Sequence, residues 1–325
     1  MKIVLLHTTD AAESNDPVLG QLEEALAAQG HATARVVVGD ALTPFVEALG
    51  AAAPDLVWNL AEAFGGKSAL ESNVAAVLNL LGLRYTGSSP AGLILAGDKV
   101  LAKKILRFHG IRSPEFATLY RGAVDWAGDL AFPLIVKPPQ EDASIGITTG
   151  SVVHDLRELL VKLDEVHSEF RSPALVEQFV EGREFYVGVL GNAHAEALPV
   201  IGLDFSRFPA GTPRVASWDA KWGDESGGGA EFGGTESVFP TDLPAELVVR
   251  MQKVAVDAFE ALRLRDYGRI DLRVSSEGEI FVIEVNPNCY LERGSEFARA
   301  AHAHGLPYER LVERIVDLAM ARYAR

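Results

Sequence analysis

Three oxygen-bearing side chains, Asp271, Glu284 and Asn286, lie in the segment GRIDLRVSSEGEIFVIEVNPN, Gly268 to Asn288, amid Ile, Val and Phe. Between its two apolar runs stands SSEG, a turn signal ending in glycine, so RIDLRV and EIFVIEV are expected to form an antiparallel hairpin. Side chains alternate faces along a strand, which groups Asp271 with Arg269 and Arg273, and Glu284 with Asn286 and Val282. A two-residue turn at Glu277-Gly278 sets Asp271 directly opposite Glu284, and a turn at Ser276-Glu277 sets it one pair away on the same face. Either register gathers two carboxylates and an amide oxygen. Carboxylates crowded into a partly buried site repel one another, so a positive group is wanted among them. All-oxygen ligands suit a hard cation such as magnesium, which keeps waters and takes further oxygens from a nucleotide's phosphates. The other reading is an antiparallel sheet with one wet face, on which Asp271 pairs with Arg273 and Glu284 meets solvent.

A nucleotide site also needs donors for phosphate, and three candidates lie upstream. Lys137 leaves the hydrophobic strand of IVKPP, so its stem can be buried while its ammonium reaches a phosphate. The loop DASIG that follows offers backbone N–H groups and Ser144 in a glycine-permitted bend. Lys99, at the start of a helical segment, is the third. Each signal alone has an ordinary explanation, a solvated strand end or a plain turn; their order along the chain with the acidic hairpin makes them specific.

The elements that must position these groups follow from periodicity. Strand-like KIVLL, ATARVVVG and PDLVWNL alternate with helical DPVLGQLEEALAAQG, TPFVEALGAA and SALESNVAAVLNLLG, which predicts a parallel sheet with helices on its faces. DKVLAKKILRF reads as an amphipathic helix opening a second unit with strands at FPLIVK, SVVH and PALVEQFV, and a helix at DLRELLVKLDEVHSEF. A third unit holds a hairpin through Gly191-Asn192, a glycine-rich loop, a long helix PAELVVRMQKVAVDAFEAL, the acidic hairpin and a closing helix. The boundaries are set at 1–96, 97–178 and 179–325. The 325 residues, 48% hydrophobic and 23% charged, suffice for such a multi-domain core. With 45 acidic against 30 basic residues the net charge is −15, which argues against nucleic acid and anionic membrane as partners. The one cysteine, Cys289, excludes an intrachain disulfide and a cysteine-rich zinc site. No apolar run reaches the ~18 residues of a spanning helix, and the N-terminal run is too short for a signal peptide, so a soluble cytoplasmic protein is expected.

With these residues in place, the chain resembles the ATP-grasp carboxylate-amine ligases, and within them the D-alanine–D-alanine ligase group. The resemblance runs through LRYTGSSP, AGDKVLAKKIL, FPLIVKPPQEDASIG, LVEQFVEGREFYVGVL, WDAKW, YGRIDLRV and FVIEVNPN. It implies a Rossmann-like parallel α/β domain, a small central α+β domain and a C-terminal domain built on an antiparallel sheet, with ATP between the last two. Carried over by position, it implies that Lys99, Lys137 and Ser144 contact phosphates, Glu177 hydrogen-bonds adenine beside Phe179 and Val180, and Glu184 holds the ribose. Asp271, Glu284 and Asn286 match the magnesium ligands, a role manganese could also fill. Arg269 matches the arginine that steadies the reacting phosphate and developing oxyanion, Lys221 a lysine on a lid loop, and Ser295 the serine that receives the second substrate's carboxylate. The activity implied is ADP-forming ligation of two amino-acid-like substrates through an acyl phosphate, the family's place being peptidoglycan synthesis and its usual assembly a homodimer. The stretch SGGGAEFGG after Lys221 is expected to form part of the lid.

The text departs from the family where substrates are chosen. In place of the glycine-, serine- and glutamate-containing motif after the first strand stands HTTDAAESNDP, where Glu13 is assigned the first substrate's ammonium. WNLAEAFGGKSALES replaces the histidine-glycine and glutamate-aspartate-glycine elements and offers Asn59, Glu62 and Glu71. After Asn286, PNCYLERGS brings in Tyr290, Glu292 and Arg293, charges that suggest an amine other than D-alanine. Ala143 stands where a second loop serine is usual. Three other classes were weighed. A nicotinamide-dependent dehydrogenase requires G-x-G-x-x-G after the first strand, and LLHTTDAAES holds no glycine. A non-catalytic ATP-binding relative would retain nearly the same groups. A dipeptide or amide ligase of different specificity fits the altered pockets. Cys289 has no histidine at motif spacing and is not read as a nucleophile.

Overall fold

The computed structural model describes residues 1–8, 17–121, 123–127, 129–141, 145–209, 211–216 and 235–324. Strand β1 (Lys2–Thr8) pairs in parallel with β2 (Ala32–Val38) on one side and β3 (Leu56–Leu60) on the other. Its apolar run is continuous because both faces are covered. Ile3 and Leu5 pack with Leu19, Leu22 and Leu26 of helix α1 (Pro17–Ala28), while Val4 and Leu6 pack with Phe45 and Leu49 of α2 (Leu42–Ala52) and Val74 and Leu78 of α3 (Glu71–Leu80).

Helix α4 (Pro90–Gly97) goes beyond the elements read from periodicity. Ser89 caps it, its side chain accepting from Gly92 N at 3.3 Å, and Pro90 takes the first helical position. A Cβ at Gly92 would lie 2.9 Å from Arg263 O, so glycine permits the close approach to the C-terminal unit. Helix α5 (Lys99–Phe108) begins at Asp98, whose Oδ1 accepts from Val100 N and Leu101 N at 3.0 Å. Its apolar side, Ala102 and Leu106, packs with Ala96 into the core of the C-terminal sheet.

The central sheet has the order β5-β4-β8-β6-β7 and is antiparallel throughout, formed by β4 (Phe116–Tyr120), β5 (Ala123–Ala127), β6 (Leu134–Lys137), β7 (Val152–Val153) and β8 (Ala174–Gln178). Helix α6 (Leu156–Glu169) closes it through Leu159, Leu163 and Val166. The C-terminal sheet runs β12-β11-β9-β13-β14, with β10 beside β9, from β9 (Gly182–Gly191), β10 (Glu196–Ala197), β11 (Ile201–Asp204), β12 (Glu236–Val238), β13 (Asp266–Ser275) and β14 (Ile280–Asn286). Helix α7 (Ala245–Ala261) covers one face. Helices α8 (Glu296–Ala303) and α9 (Tyr308–Tyr323) contribute to a core shared with β1 and α1, in which Leu22 and Leu26 join Val312, Ile315 and Ala319.

The acidic hairpin forms, but by a different route from the expected one. Its turn holds three residues, Ser276 to Gly278: Ser275 N donates to Glu279 O and Gly278 N to Ser275 O, both at 3.0 Å. Gly278 supplies the left-handed φ of 76° that the turn needs. From the turn inward Val274 pairs with Ile280 and Leu272 with Val282, whereas Asp271 pairs with Glu284 and Arg269 with Asn286. The extra residue, Ile283, is a β-bulge that changes the phase of β14. Glu284 therefore does not share a face with Val282, as strict alternation predicts. Val282 is buried in the core with Leu272 and Ile280, and Glu284 turns with Asn286 toward Asp271.

Candidate active site

A cleft lies between the central and C-terminal sheets. Strands β6 and β8 supply Ile135, Lys137 and Glu177 to its wall, the connection after β8 supplies Phe179 and Val180, and β9, β13 and β14 supply Glu184, Asp271, Arg273, Ile283 and Glu284. The bulge is what presents Ile283 and Glu284 to the cleft together. Seven of the sequence-expected residues thus line one space: Lys137, Glu177, Phe179, Val180, Glu184, Asp271 and Glu284.

Asp271, Glu284 and Glu177 each have a cation against them, whereas Glu184 accepts from Tyr186 OH at 3.4 Å. Arg269 Nε and Nη2 donate to Asp271 Oδ1 and Oδ2 at 2.8 and 2.9 Å, a bidentate pair, and the guanidinium lies 4.3 Å from the Tyr186 ring centroid. Burial alone would lower the Arg269 pKa, but Asp271, joined by Tyr186 and Glu296, holds the guanidinium well above its ordinary value. Lys99 Nζ meets Glu284 Oε1 at 2.8 Å and donates to Glu141 O. Glu177 sits between two lysines, Lys137 Nζ at 3.0 Å from Oε2 and Lys103 Nζ at 3.2 Å from Oε1. The Lys103 contact is an ion pair without hydrogen-bond alignment, and Glu177 Oε1 receives no hydrogen bond among the described residues. Burial pushes the Lys103 ammonium down to about 8 against the pull of Glu177; burial would raise Glu177, but the two lysines hold it below the usual carboxylate range. The pairing of Asp271 with Arg273 does not occur. Arg273 instead donates to Arg214 O at 2.6 Å and Gly182 O at 3.3 Å, with its guanidinium 4.8 Å from the Phe179 ring centroid.

The profile of the D-ala D-ala ligase C-terminus matches residues 105–317. The chain belongs to the D-alanine–D-alanine ligase family. A D-alanine–D-alanine ligase of Syntrophotalea carbinolica is 34% identical over 264 residues, 80% of this chain and 78% of that protein. An uncharacterized protein of Sinorhizobium fredii is 33% identical over 268 residues, 82% of this chain and 75% of its own. A D-alanine–D-alanine ligase from Bacillus anthracis complexed with ATP superposes with a TM-score of 0.77 at 25% identity, covering 99% of this chain and 98% of that one. The three-sheet arrangement is that of the ATP-grasp fold, and the protein is an ATP-dependent, ADP-forming carboxylate-amine ligase of this type.

The remaining expected residues of the ligase fall around the cleft. Arg269 and Asn286 form the pair next to Asp271 and Glu284, and Asn286 Nδ2 contacts Arg269 O at 3.5 Å. Ser295 is the N-cap residue of α8; its hydroxyl donates to Tyr290 O at 3.1 Å, and the following Glu296 lies 3.9 Å from Arg269 Nη1. Glu13, Ser144, Ala143, Lys221 and the glycine-rich stretch after it lie outside the described residues. No cluster of three or more His, Cys, Asp or Glu side chains poised for a metal occurs among the described residues. The set Asp271, Glu284 and Asn286 offers two carboxylates and one amide on one face, each carboxylate paired with a cation. That donor set fits an ion that arrives with phosphate oxygens better than one held in an all-protein cage.

Lys103 is absent from the residues singled out by sequence. Its signal was the spacing from Lys99, four residues on, which puts both on one face of α5. Glu71 is also more than a solvated helix residue: Asn288 Nδ2 donates to its Oε1 at 3.2 Å, and Tyr267 OH donates to Asn288 Oδ1 at 2.9 Å. The charges after Asn286 have partners within the ligase. Gln21 Nε2 donates to Glu292 Oε1 at 2.9 Å, and Arg293 pairs with Glu309 at 3.2 Å over the Tyr308 ring. They staple this segment to α1 and α9.

Cys289 is buried, and burial pushes its thiol up to about 12. Its alkylation by iodoacetamide at pH 8 is expected to be at least about a hundredfold slower in the folded ligase than in denaturant, read by mass spectrometry. Equal rates would contradict the burial described.

Proposed function

We propose that the ligase condenses two D-alanine molecules, with ATP bound in the cleft between the central and C-terminal sheets. The convergence of Lys137, Glu177, Asp271 and Glu284 on that cleft, with Lys99 paired to Glu284 beside it, carries the reading. Glu177, whose Oε2 meets Lys137 on the cleft wall at 3.0 Å, is the acceptor for the adenine amino group, and Phe179 and Val180 flank the base. Glu184 takes the ribose. Lys99, Lys137 and the Ser144 loop take phosphates. Asp271, Glu284 and Asn286 hold magnesium or manganese, which when bound neutralises charge on the phosphoryl group in flight. The first substrate's carboxylate attacks the γ-phosphorus, forming a C–O–P acyl phosphate and releasing ADP. The second substrate's amine then attacks the acyl carbon, and inorganic phosphate leaves. Arg269 steadies the charge on transferring phosphate and oxyanion, Ser295 receives the second carboxylate, Glu13 the first ammonium, and Lys221 with its glycine-rich neighbours excludes water.

The partners that Glu292 and Arg293 have within the chain, Gln21 and Glu309, support D-alanine over a charged amine. The dipeptide would serve peptidoglycan synthesis in the cytoplasm, and the protein would act as a homodimer. No helix among the described residues is long and apolar enough to cross a membrane. The test is phosphate release from Mg-ATP across D- and L-amino acids given singly and in pairs, with mass detection. Release with a D-alanyl-D-alanine mass is the expected result. Release only with another pair would overturn the substrate assignment, and ATP binding without release from any pair would overturn ligation.

A further inference from the structure

Glu177 is a single carboxylate held between two ammoniums that approach it from different sides. Lys137 lines the nucleotide cleft. Lys103 does not: it meets Glu177 Oε1 from α5 at 3.2 Å and lines instead a separate small space with Lys99, Leu106, Val282, Ile283 and Glu284. Both Lys103 and Glu177 are almost fully buried, 2% and 1% exposed, so neither can turn to solvent for a substitute partner. The two lysines therefore have different freedoms. An ammonium on the cleft wall can move from a carboxylate to a phosphate; one buried outside the cleft lining cannot.

We propose that Lys103 is the fixed counter-charge that keeps Glu177 ionised and in place as Lys137 transfers from Glu177 to the nucleotide's phosphates. The inference rests on the placement of adenine at Glu177 given above. Unpaired, a buried carboxylate would take up a proton or withdraw, and in either case lose its capacity to accept from the 6-amino group of adenine. Lys103 is thus a positioning residue for base recognition, with no contact to reacting atoms.

The experiment compares ATP with purine riboside triphosphate, which lacks the 6-amino group, by kcat/KM for phosphate release with the ligase's amino-acid substrates. The unmodified protein is expected to prefer ATP by about 10- to 100-fold, the size of one charge-assisted hydrogen bond. Lys103→Met loses most of that preference through a raised KM for ATP, with kcat at saturation little changed. The double variant Lys103→Met/Glu177→Gln removes both charges at nearly constant shape, leaves an amide oxygen for the base, and recovers much of the ATP KM. A merely structural Lys103 would weaken both nucleotides equally. Retention of the full preference by Lys103→Met, or a double variant no better than the single one, overturns the inference. If Lys103→Met does not fold, a double variant that folds and uses ATP supports the same conclusion, and failure of both overturns it. Glu177→Ala separates the two readings. Its loss of the preference, alongside retention by Lys103→Met, removes only the role of Lys103; its retention of the preference removes the adenine placement and this inference together.

Discussion

Asp271→Asn is expected to lower phosphate release from Mg-ATP by roughly a thousandfold or more, about 4 kcal/mol of transition-state stabilisation. The carboxylate does two things that the amide cannot. It offers two anionic oxygens on the face shared with Glu284 and Asn286, and it accepts both arms of Arg269 at 2.8 and 2.9 Å. An asparagine presents one oxygen and one amino group, so it turns a donor toward either the arginine or the divalent ion. Glu284→Gln has the same consequence by way of Lys99, whose buried ammonium loses the carboxylate 2.8 Å away. The measurement is steady-state turnover with the true substrates at saturating and at limiting magnesium. The deficit should widen as magnesium becomes limiting, and turnover undiminished in either variant at limiting magnesium would refute the assignment of the hairpin. Melting temperature measured alongside separates lost chemistry from lost fold.

The largest effect on stability is expected at Asp266, which takes no part in the proposed chemistry. This residue is fully buried, with a left-handed φ of 65°, and its carboxylate accepts from Gly87 N at 2.8 Å, Asn192 Nδ2 at 3.1 Å, and Arg322 Nε and Nη2 at 3.0 and 2.7 Å. Those donors belong to the N-terminal unit, the β9–β10 turn and the last turn of α9. Arg322 goes on to donate to Tyr85 O at 2.7 Å. One carboxylate therefore joins three separate parts of the chain. Asp266→Ala leaves a guanidinium and two amide donors buried without their acceptor, which costs about 3–5 kcal/mol. Chemical denaturation followed by tryptophan fluorescence measures it. A loss under about 1 kcal/mol would mean that water replaces the carboxylate and that the network contributes little.

The parts of the fold that were legible in the sequence are those with strong periodicity and ordinary caps. β1 to β3 and their helices are readable because runs such as KIVLL and helical spacing such as that of Leu19, Leu22 and Leu26 differ in period. Strands β4 and β5 were not, since FATLY and AVDWA are only five residues each and Arg121-Gly122 between them is a short turn signal. Helix α4 was hidden by Gly92 and Gly97, although Ser89-Pro90 marks its start. In the site, residue types identified the carboxylates and Lys99 and Lys137, because oxygen and ammonium on strands and helix starts are unusual enough to ask for a partner. What spacing could not supply was the pairing: whether Asp271 takes Arg269 or Arg273 depends on the packing of Tyr186 and Phe179 under the two guanidiniums. Lys103 looked like one more lysine in KVLAKK, since its burial is decided by the C-terminal core on which α5 lies.

The bulge at Ile283 also bears on how portable this hairpin is. The half of β14 nearest the turn and the half nearest Asn286 are written in different frames, and only the uneven count between them lets Ile280, Val282 and Val285 enter the core while Glu284 stays outside it. Any regular two-strand copy of the same residues puts Glu284 on the side of Val282, among aliphatic neighbours, whatever turn is chosen. A grafted version of the acidic face therefore has to carry the irregularity with it. Strand β13, by contrast, keeps one frame throughout, paired with β9 from Asp266 at Gly191 to Ser275 at Gly182, so the irregularity is confined to β14.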